Sequence, residues 1–238
     1  MDSVPSGRRC LHPMQRGAGV TKGYVMSNIY AKRYTMEDFE TLLDGSTKAH
    51  GHLCPGQVVG VRMAMLGCRL IDLDTPRELP QIKQLIVYVE IDRCATDAIA
   101  HVTGVKLGRR SLKFIDNGIM AATFVNLKTG QAVRIVSNES ARDLAHVYAP
   151  DSADRRQQQL AAYAKMTDDE LFTVAAVHVD VPIHDMPGPS RFKVRCDACA
   201  AVVRDKKEVL LNNRVLCRAC AHGTYYRPLE AGSRLKTP

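Results

Sequence analysis

Apolar residues recur at three- and four-residue spacing between Pro55 and about Leu73, at Val58, Val59, Met63, Leu66, Leu70 and Leu73, which predicts a buried helix. A shorter helix is expected before it. Thr35 is placed to cap Met36-Glu37-Asp38-Phe39, whose acids suit the positive end of a helix dipole, and Gly45 marks the expected stop. Leu85 to Ile91 reads as a strand, and Ala95 to Val102 as a helix ending at Gly104. Alternation from Ala122 to Leu127, the turn Lys128-Thr129-Gly130 and the run Ala132 to Val136 predict a hairpin. Two polar helices follow at roughly 139–148 and 152–165, then a capping box at Thr167-Asp168-Asp169-Glu170 and a last strand over about Val174 to Val181. Helices mixed with a hairpin give an α+β class with a mixed or antiparallel sheet.

Residues 1–29 mix Pro, Gly, Ser and Arg without apolar periodicity and read as a disordered leader, with Met26 as an alternative start. Pro182, Pro187, Gly188 and Pro189 form a linker. The expected division is therefore a leader at 1–29, a core domain at 30–186, a cysteine-rich module at 187–226 and a tail at 227–238.

Composition narrows the setting. The 238 residues are 45% hydrophobic and 24% charged, which allows a packed core. There is no run of about 18 uncharged apolar residues, and Arg8-Arg9 leads into Cys10-Leu11-His12-Pro13, not into an apolar signal core. The expectation is a cytoplasmic protein without a membrane span. The net charge of +8 is uneven: residues 1–34 carry six Lys/Arg against one acid, and 191–226 carry eight against three. Residues 35–190 hold sixteen Lys/Arg against twenty Asp/Glu, a balance of −4. The high pI thus belongs to the ends and does not make the central domain a nucleic-acid binder.

Four of the eight cysteines form two pairs, Cys196-Asp197-Ala198-Cys199 and Cys217-Arg218-Ala219-Cys220, separated by 17 residues. Each pair can turn as a knuckle that offers two thiolates to one tetrahedral zinc ion, and a chain of this size has no need of disulfides in their place. The segments 201–203, 209–211 and 215–216 are expected to supply a hairpin that brings the knuckles together, giving a zinc ribbon or treble-clef-like module. A four-thiolate site is closed, so its zinc is expected to be structural. Arg204, Lys206, Lys207 and Arg214 would form a basic face on this module, read as solvated rather than as a nucleic-acid surface.

A second constellation is His50-Gly51-His52-Leu53-Cys54-Pro55-Gly56, directly before the apolar helix. Pro55 suits a first helical position and Cys54 a cap, where the helix dipole favours a thiolate. Cys94 repeats the arrangement before the Ala95 helix, with Asp97 in its first turn. His50, His52, Cys54 and Cys94 are accordingly candidates for a core metal site. Cys54 as nucleophile or redox thiol, with His52 as base and Cys94 as resolving thiol, is the catalytic alternative. Cys10 and Cys68 gain nothing from this pattern, and His101, His146, His178 and His184 read as structural.

These residues resemble the FmdE family of formylmethanofuran dehydrogenase proteins. The resemblance rests on His50-Gly-His-Leu-Cys-Pro-Gly with Gly60 and Arg62, Asp92-Arg-Cys94-Ala-Thr-Asp97-Ala-Ile, Thr103-Gly104 with Leu107-Gly108, Ala121-Ala-Thr-Phe124, and the ordered four-cysteine module. It covers roughly residues 35–222. It implies an α+β core, commonly a homodimer, with a metal site near the His/Cys motif and a zinc ribbon behind it. It further implies association with a molybdenum or tungsten enzyme of the formylmethanofuran dehydrogenase type. The chain departs from the family at Val105, where a cysteine is usual, and at Ile119, where a lysine is usual; both positions are expected in the site. The leading function is a metal-binding accessory protein of such an enzyme. A thiol- or metal-dependent enzyme and a nucleic-acid-binding regulator are the alternatives.

Overall fold

The computed structural model describes residues 36–152 and 154–228. The expected leader at 1–29, with Cys10 and Met26, and most of the expected tail at 227–238 lie outside the described residues.

Three helices build one side of the core: α1 (Phe39–His50), α2 (Pro55–Leu70) and α3 (Cys94–Thr103). The first begins later and ends later than the sequence suggests. Asp38, not Thr35, is its cap, accepting from the Thr41 N–H at 2.8 Å. Gly45 lies inside α1 because a Cβ there would come within 2.7 Å of the His101 ring, so glycine is the residue that admits that imidazole. The stop is Gly51, left-handed at φ 95°, whose N–H closes on the Thr47 carbonyl.

The sheet has the order β2-β1-β3-β4-β5, formed by β1 (Leu85–Val89), β2 (Leu112–Phe114), β3 (Ala121–Asn126), β4 (Ala132–Ser137) and β5 (Phe172–Ala176). β1 and β2 are parallel and the other pairs antiparallel, so the sheet is mixed. Cross-strand rows Val87–Phe124–Val133 and Val89–Ala122–Ile135 belong to the buried cluster that includes the apolar face of α2. The ring of Phe124 lies where Gly67 of α2 leaves no side chain. On the opposite face Ile86, Val125 and Ala132 are covered by Val177, Val179 and Val181. That is why the strand expected to reach Val181 ends at Ala176: its alternating valines leave the ladder to cover the second face. β2 carried no sequence signal, since only three residues pair.

Helices α4 (Ser140–Tyr148), α5 (Arg155–Lys165) and α6 (Asp168–Leu171) follow, α6 with both hydrogen bonds of the expected capping box. Arg62 of α2 donates to the Tyr163 and Met166 carbonyls and to Asp168 Oδ1, so this motif arginine ties α2 to the end of α5.

The cysteine module pairs its strands differently from the expectation. β6 (Lys193–Arg195) joins β7 (Val202–Arg204) around the first knuckle, and β8 (Val209–Leu211) joins β9 (Arg214–Leu216) before the second. Asn212 and Asn213, both at positive φ, turn the second hairpin, a conformation asparagine tolerates well. A short helix α7 (Arg218–His222) starts at Cys217, the treble-clef-like arrangement. Arg110, beside the sheet edge, pairs with Asp185 at 3.5 Å and with Asp205 of the module at 3.1 Å, and Lys207 reaches Asp185 at 3.4 Å.

Candidate metal centre

Two groups of metal-ligating side chains occur among the described residues. In the first, Cys196, Cys199, Cys217 and Cys220 have their sulfurs within 4.8 Å of one another. The first knuckle closes through the Ala200 N–H on the Cys196 carbonyl, with Ala200 at φ 59°. In the second, the Cys220 N–H donates to Cys217 Sγ at 3.4 Å. Asp197 locks one to the other: its Oδ2 accepts from the Val215 N–H at 2.7 Å. N–H groups of Cys217 and Cys199 bring the Cys196 thiol down to about 6, while hydrogen bonds from the other cysteines push Cys220 up to about 12. One thiolate is thus welcome and a fourth is penalised unless a cation sits among them, the electrostatic demand of a zinc site.

In the second group, His50, Cys54 and Cys94 also place their ligand atoms within 4.8 Å of one another. Tetrahedral zinc with bonds of about 2.1–2.3 Å keeps its ligands roughly 3.5 Å apart, so a small closure completes the geometry. Local structure explains the convergence. Gly51 reverses the chain after α1, the bend continues through His52, and Pro55 opens α2 with Cys54 extended at its cap. Arg156 of α5 fixes the bend by donating to the Leu53 carbonyl at 2.6 Å. Cys94 is the first residue of α3, not its cap; Arg93 holds the cap position. The two helix starts meet because Gly56 faces Cys94: a Cβ on Gly56 would lie 3.0 Å from Cys94 Cβ and 3.7 Å from Cys54 Sγ. One turn on, a Cβ at Gly60 would reach within 2.5 Å of the Ala95 carbonyl oxygen.

His50 carries the most telling atom. Its Nδ1 is 2.9 Å from Asp97 Oδ2, while its Nε2 is buried with no hydrogen-bond partner. A carboxylate on one ring nitrogen and a vacant lone pair on the other is the usual dressing of a metal-binding histidine. Burial pushes the Cys94 thiol up, and its hydrogen bond with Cys54 adds to this. A cation between them reverses that penalty. These donors therefore fit a soft or borderline divalent ion.

His52 lies against His50, ring centroids 4.8 Å apart and planes tilted by 38°, but is exposed and outside the three-ligand group. Among the described residues no hydrogen bond joins it to Cys54. Sequence reading missed Gln57. Fully buried, it takes a hydrogen bond from Ser46 Oγ and donates to the Cys94 carbonyl at 2.7 Å, holding the start of α3. A lone amide among Val58, Val59 and Val61, one turn after Cys54, was the available signal. Val105 departs from its expected place. It lies in the apolar cluster beyond the far end of α3, and ten residues of helix put about 15 Å between that end and Cys94. Ile119 is exposed on the loop that follows β2.

Cys68 is fully buried, and burial pushes its thiol up. His146 bonds the Asp143 carbonyl and His178 the Asp180 carboxylate. On the ribbon, Lys206 sits 5.0 Å over the Phe192 ring, Lys207 pairs with Asp185, and Arg214 donates to the Asp197 carbonyl. Three of the four cations of the proposed basic face are engaged by the protein itself.

A family model described as FmdE, molybdenum formylmethanofuran dehydrogenase operon, matches residues 49–173. An Archaeoglobus fulgidus protein described as "Probable S-adenosyl-L-methionine-binding protein" is 24% identical over 209 residues, covering 80% of this chain. The alignment covers 55% of that relative, so the chain spans about half of its length. The crystal structure of a "tungsten formylmethanofuran dehydrogenase subunit e (fmde)-like protein" from Syntrophus aciditrophicus matches with a TM-score of 0.53 at 18% identity, over 84% of this chain and all of that one. At that identity the likeness is one of fold.

Proposed function

The chain belongs to the FmdE family, and from that premise we propose that it is a metal-binding accessory protein of a molybdenum or tungsten enzyme of the formylmethanofuran dehydrogenase type. In this reading it works in the cytoplasm as a homodimer, with a structural zinc on Cys196, Cys199, Cys217 and Cys220 and a second ion on His50, Cys54 and Cys94. The observation that carries the core site is the buried, unpartnered Nε2 of His50, aimed by Asp97 and grouped with two thiols. His50, Cys54 and Cys94 would hold the ion, which would supply Lewis acidity to an external ligand. The protein's part is orientation: Asp97 fixes the imidazole, Gln57 fixes the backbone of Cys94, and Arg156 fixes the bend before Cys54.

Catalysis by Cys54 with His52 as base is the weaker reading, because the exposed imidazole makes no hydrogen bond to the thiol among the described residues. The test is metal content per chain by elemental analysis. About two ions are expected in the wild type and about one in His50→Ala with Cys54→Ala. About one ion in both would sink the core site and leave zinc to the ribbon alone. A second reading comes from the Archaeoglobus relative, whose printed name gives S-adenosyl-L-methionine as its ligand. Calorimetric titration with that compound decides it, and heat indistinguishable from dilution would remove it.

A further inference from the structure

We propose that a cleft at the far end of α3 from the metal group binds a small amphipathic anion, an organic phosphate or carboxylate with an apolar body. The cleft is about 710 Å³ and lies between the 77–83 segment, the turn around residues 108–111 and the linker at 187–188. That volume falls in the range of small-molecule sites, about 300–1,000 Å³. Its charged lining is of one sign: Arg77, Lys83 and Arg109 contribute to it and no Asp or Glu does. Leu79 and Ile82 supply the apolar wall. Leu79 is 68% exposed, so its side chain is open to an apolar body lying in the cleft.

The cations differ in how far they are engaged. Arg77 pairs with Glu37, and Arg109 gives one N–H to the Gly104 carbonyl at 2.9 Å. Among the described residues no acid pairs with Lys83 or with Arg109, so two of the three cations that line the cleft have no counter-charge there.

The cleft also accounts for the motif Thr103-Gly104 with Leu107-Gly108, which the metal group leaves unused. Gly104 is left-handed at φ 71°, and a Cβ there would meet Arg77 Cγ at 3.2 Å and Ile82 Cδ1 at 3.4 Å. Glycine at this point lets one cation and one apolar side chain of the cleft pack against the end of α3. Gly108 faces the cleft, and a Cβ on it would meet no atom within 4 Å. About 15 Å of helix separates this rim from Cys94, so the two sites are distinct.

The test uses the full chain and 1-anilinonaphthalene-8-sulfonate, an aromatic body with one sulfonate. One saturable site is expected by fluorescence titration. Gly108→Leu, whose Cβ would meet no atom within 4 Å and whose side chain would occupy cleft volume, should weaken binding by about tenfold, and Lys83→Glu by a comparable factor. Lys128→Glu, on the β3–β4 turn, should leave it unchanged. Hexyl phosphate or hexanoate should displace the dye, and hexylammonium should not. Binding unaltered by either cleft variant, or equal displacement by hexylammonium, overturns the proposal. Metal content read on the same samples keeps this result separate from the core metal site, since all three variants should retain the wild-type ion count.

Discussion

The two cysteine clusters of this protein ask different things of the chain around them. The ribbon's ligands come from two tight knuckles, each a local turn, and the hairpins between them bury little: Leu210 is 77% exposed and only Cys196 and Leu216 of the module are buried. So small a segment has no core of its own, and an ion held by the four thiols would supply its folding free energy. In the core site the order is reversed. His50, Cys54 and Cys94 come from the ends of three helices that contribute to one apolar core, with Gly56 and Gly60 allowing α2 and α3 to touch. The lesson is that similar donors can be a cause of folding in one place and a consequence of it in another.

The largest effect that would sharpen this contrast is at the ribbon. Cys199→Ser with Cys217→Ser should remove one ion and abolish order across residues 193–222, a loss on the order of 10 kcal/mol of coupled binding and folding. Limited proteolysis should cut that segment and spare the core. A protected ribbon in the metal-free variant would break the comparison.

Next in size is Gly60→Ala. The added methyl would sit 2.5 Å from the Ala95 carbonyl oxygen and 2.7 Å from Ala98 Cβ, both held in α3. Overpacking of this kind costs about 1–3 kcal/mol and should lower Tm by several degrees, read by thermal denaturation. The core ion should be lost with it, because separating the two helices separates Cys54 from Cys94.

Smaller still is Asp97→Asn. Its carboxylate orients His50 from a side chain that is 65% exposed, so the fold should be unaffected while core metal affinity falls about 10–100-fold in a chelator competition. A matching drop in Tm of the metal-free protein would mean that Asp97 serves the fold instead.

The smallest effect lies outside both clusters. Glu90 accepts two hydrogen bonds from Arg134, at 2.6 and 2.8 Å, and one from Asn117 at 2.9 Å. The Arg134 contact holds its carboxyl below the ordinary 4.5, against burial. A depressed carboxyl stabilises the fold above its unfolded pKa, and that stability is lost as pH falls through the folded value. Glu90→Gln should therefore cost about 1 kcal/mol at neutral pH, with the gap to wild type closing below pH 4.5. A gap that is constant with pH would show that charge plays no part.

Much of this was legible beforehand. The helices α2 and α3, the β3–β4 hairpin and the capping box at Thr167 follow from periodicity and turn chemistry, which are local. Boundaries decided by partners were not: the Gly45 break dissolves because His101 occupies its space, and the last strand shortens because its valines cover a second face. Three of the four ribbon strands were expected and β6 was not, since nothing in 193–195 marks it as the partner of β7. At the site, His50, Cys54, Cys94 and Asp97 stood out as residue types at helix starts. Gln57 did not, because only burial distinguishes a structural amide from a surface one.

By itself the sequence determined the four-cysteine group of the ribbon, because the spacing of each Cys-x-x-Cys pair constrains the same few residues that carry the thiols. It also determined where α2 begins, and the start of α3 to within one residue. Only the tertiary structure decided that Cys54 and Cys94, forty residues apart, share a site. Only it removed Val105 from that site to the far end of α3, and exposed His52 while burying its neighbour His50. The physical reason is range: turn and helix signals are written within a few residues, whereas the approach of two helices depends on what each glycine leaves empty for the other.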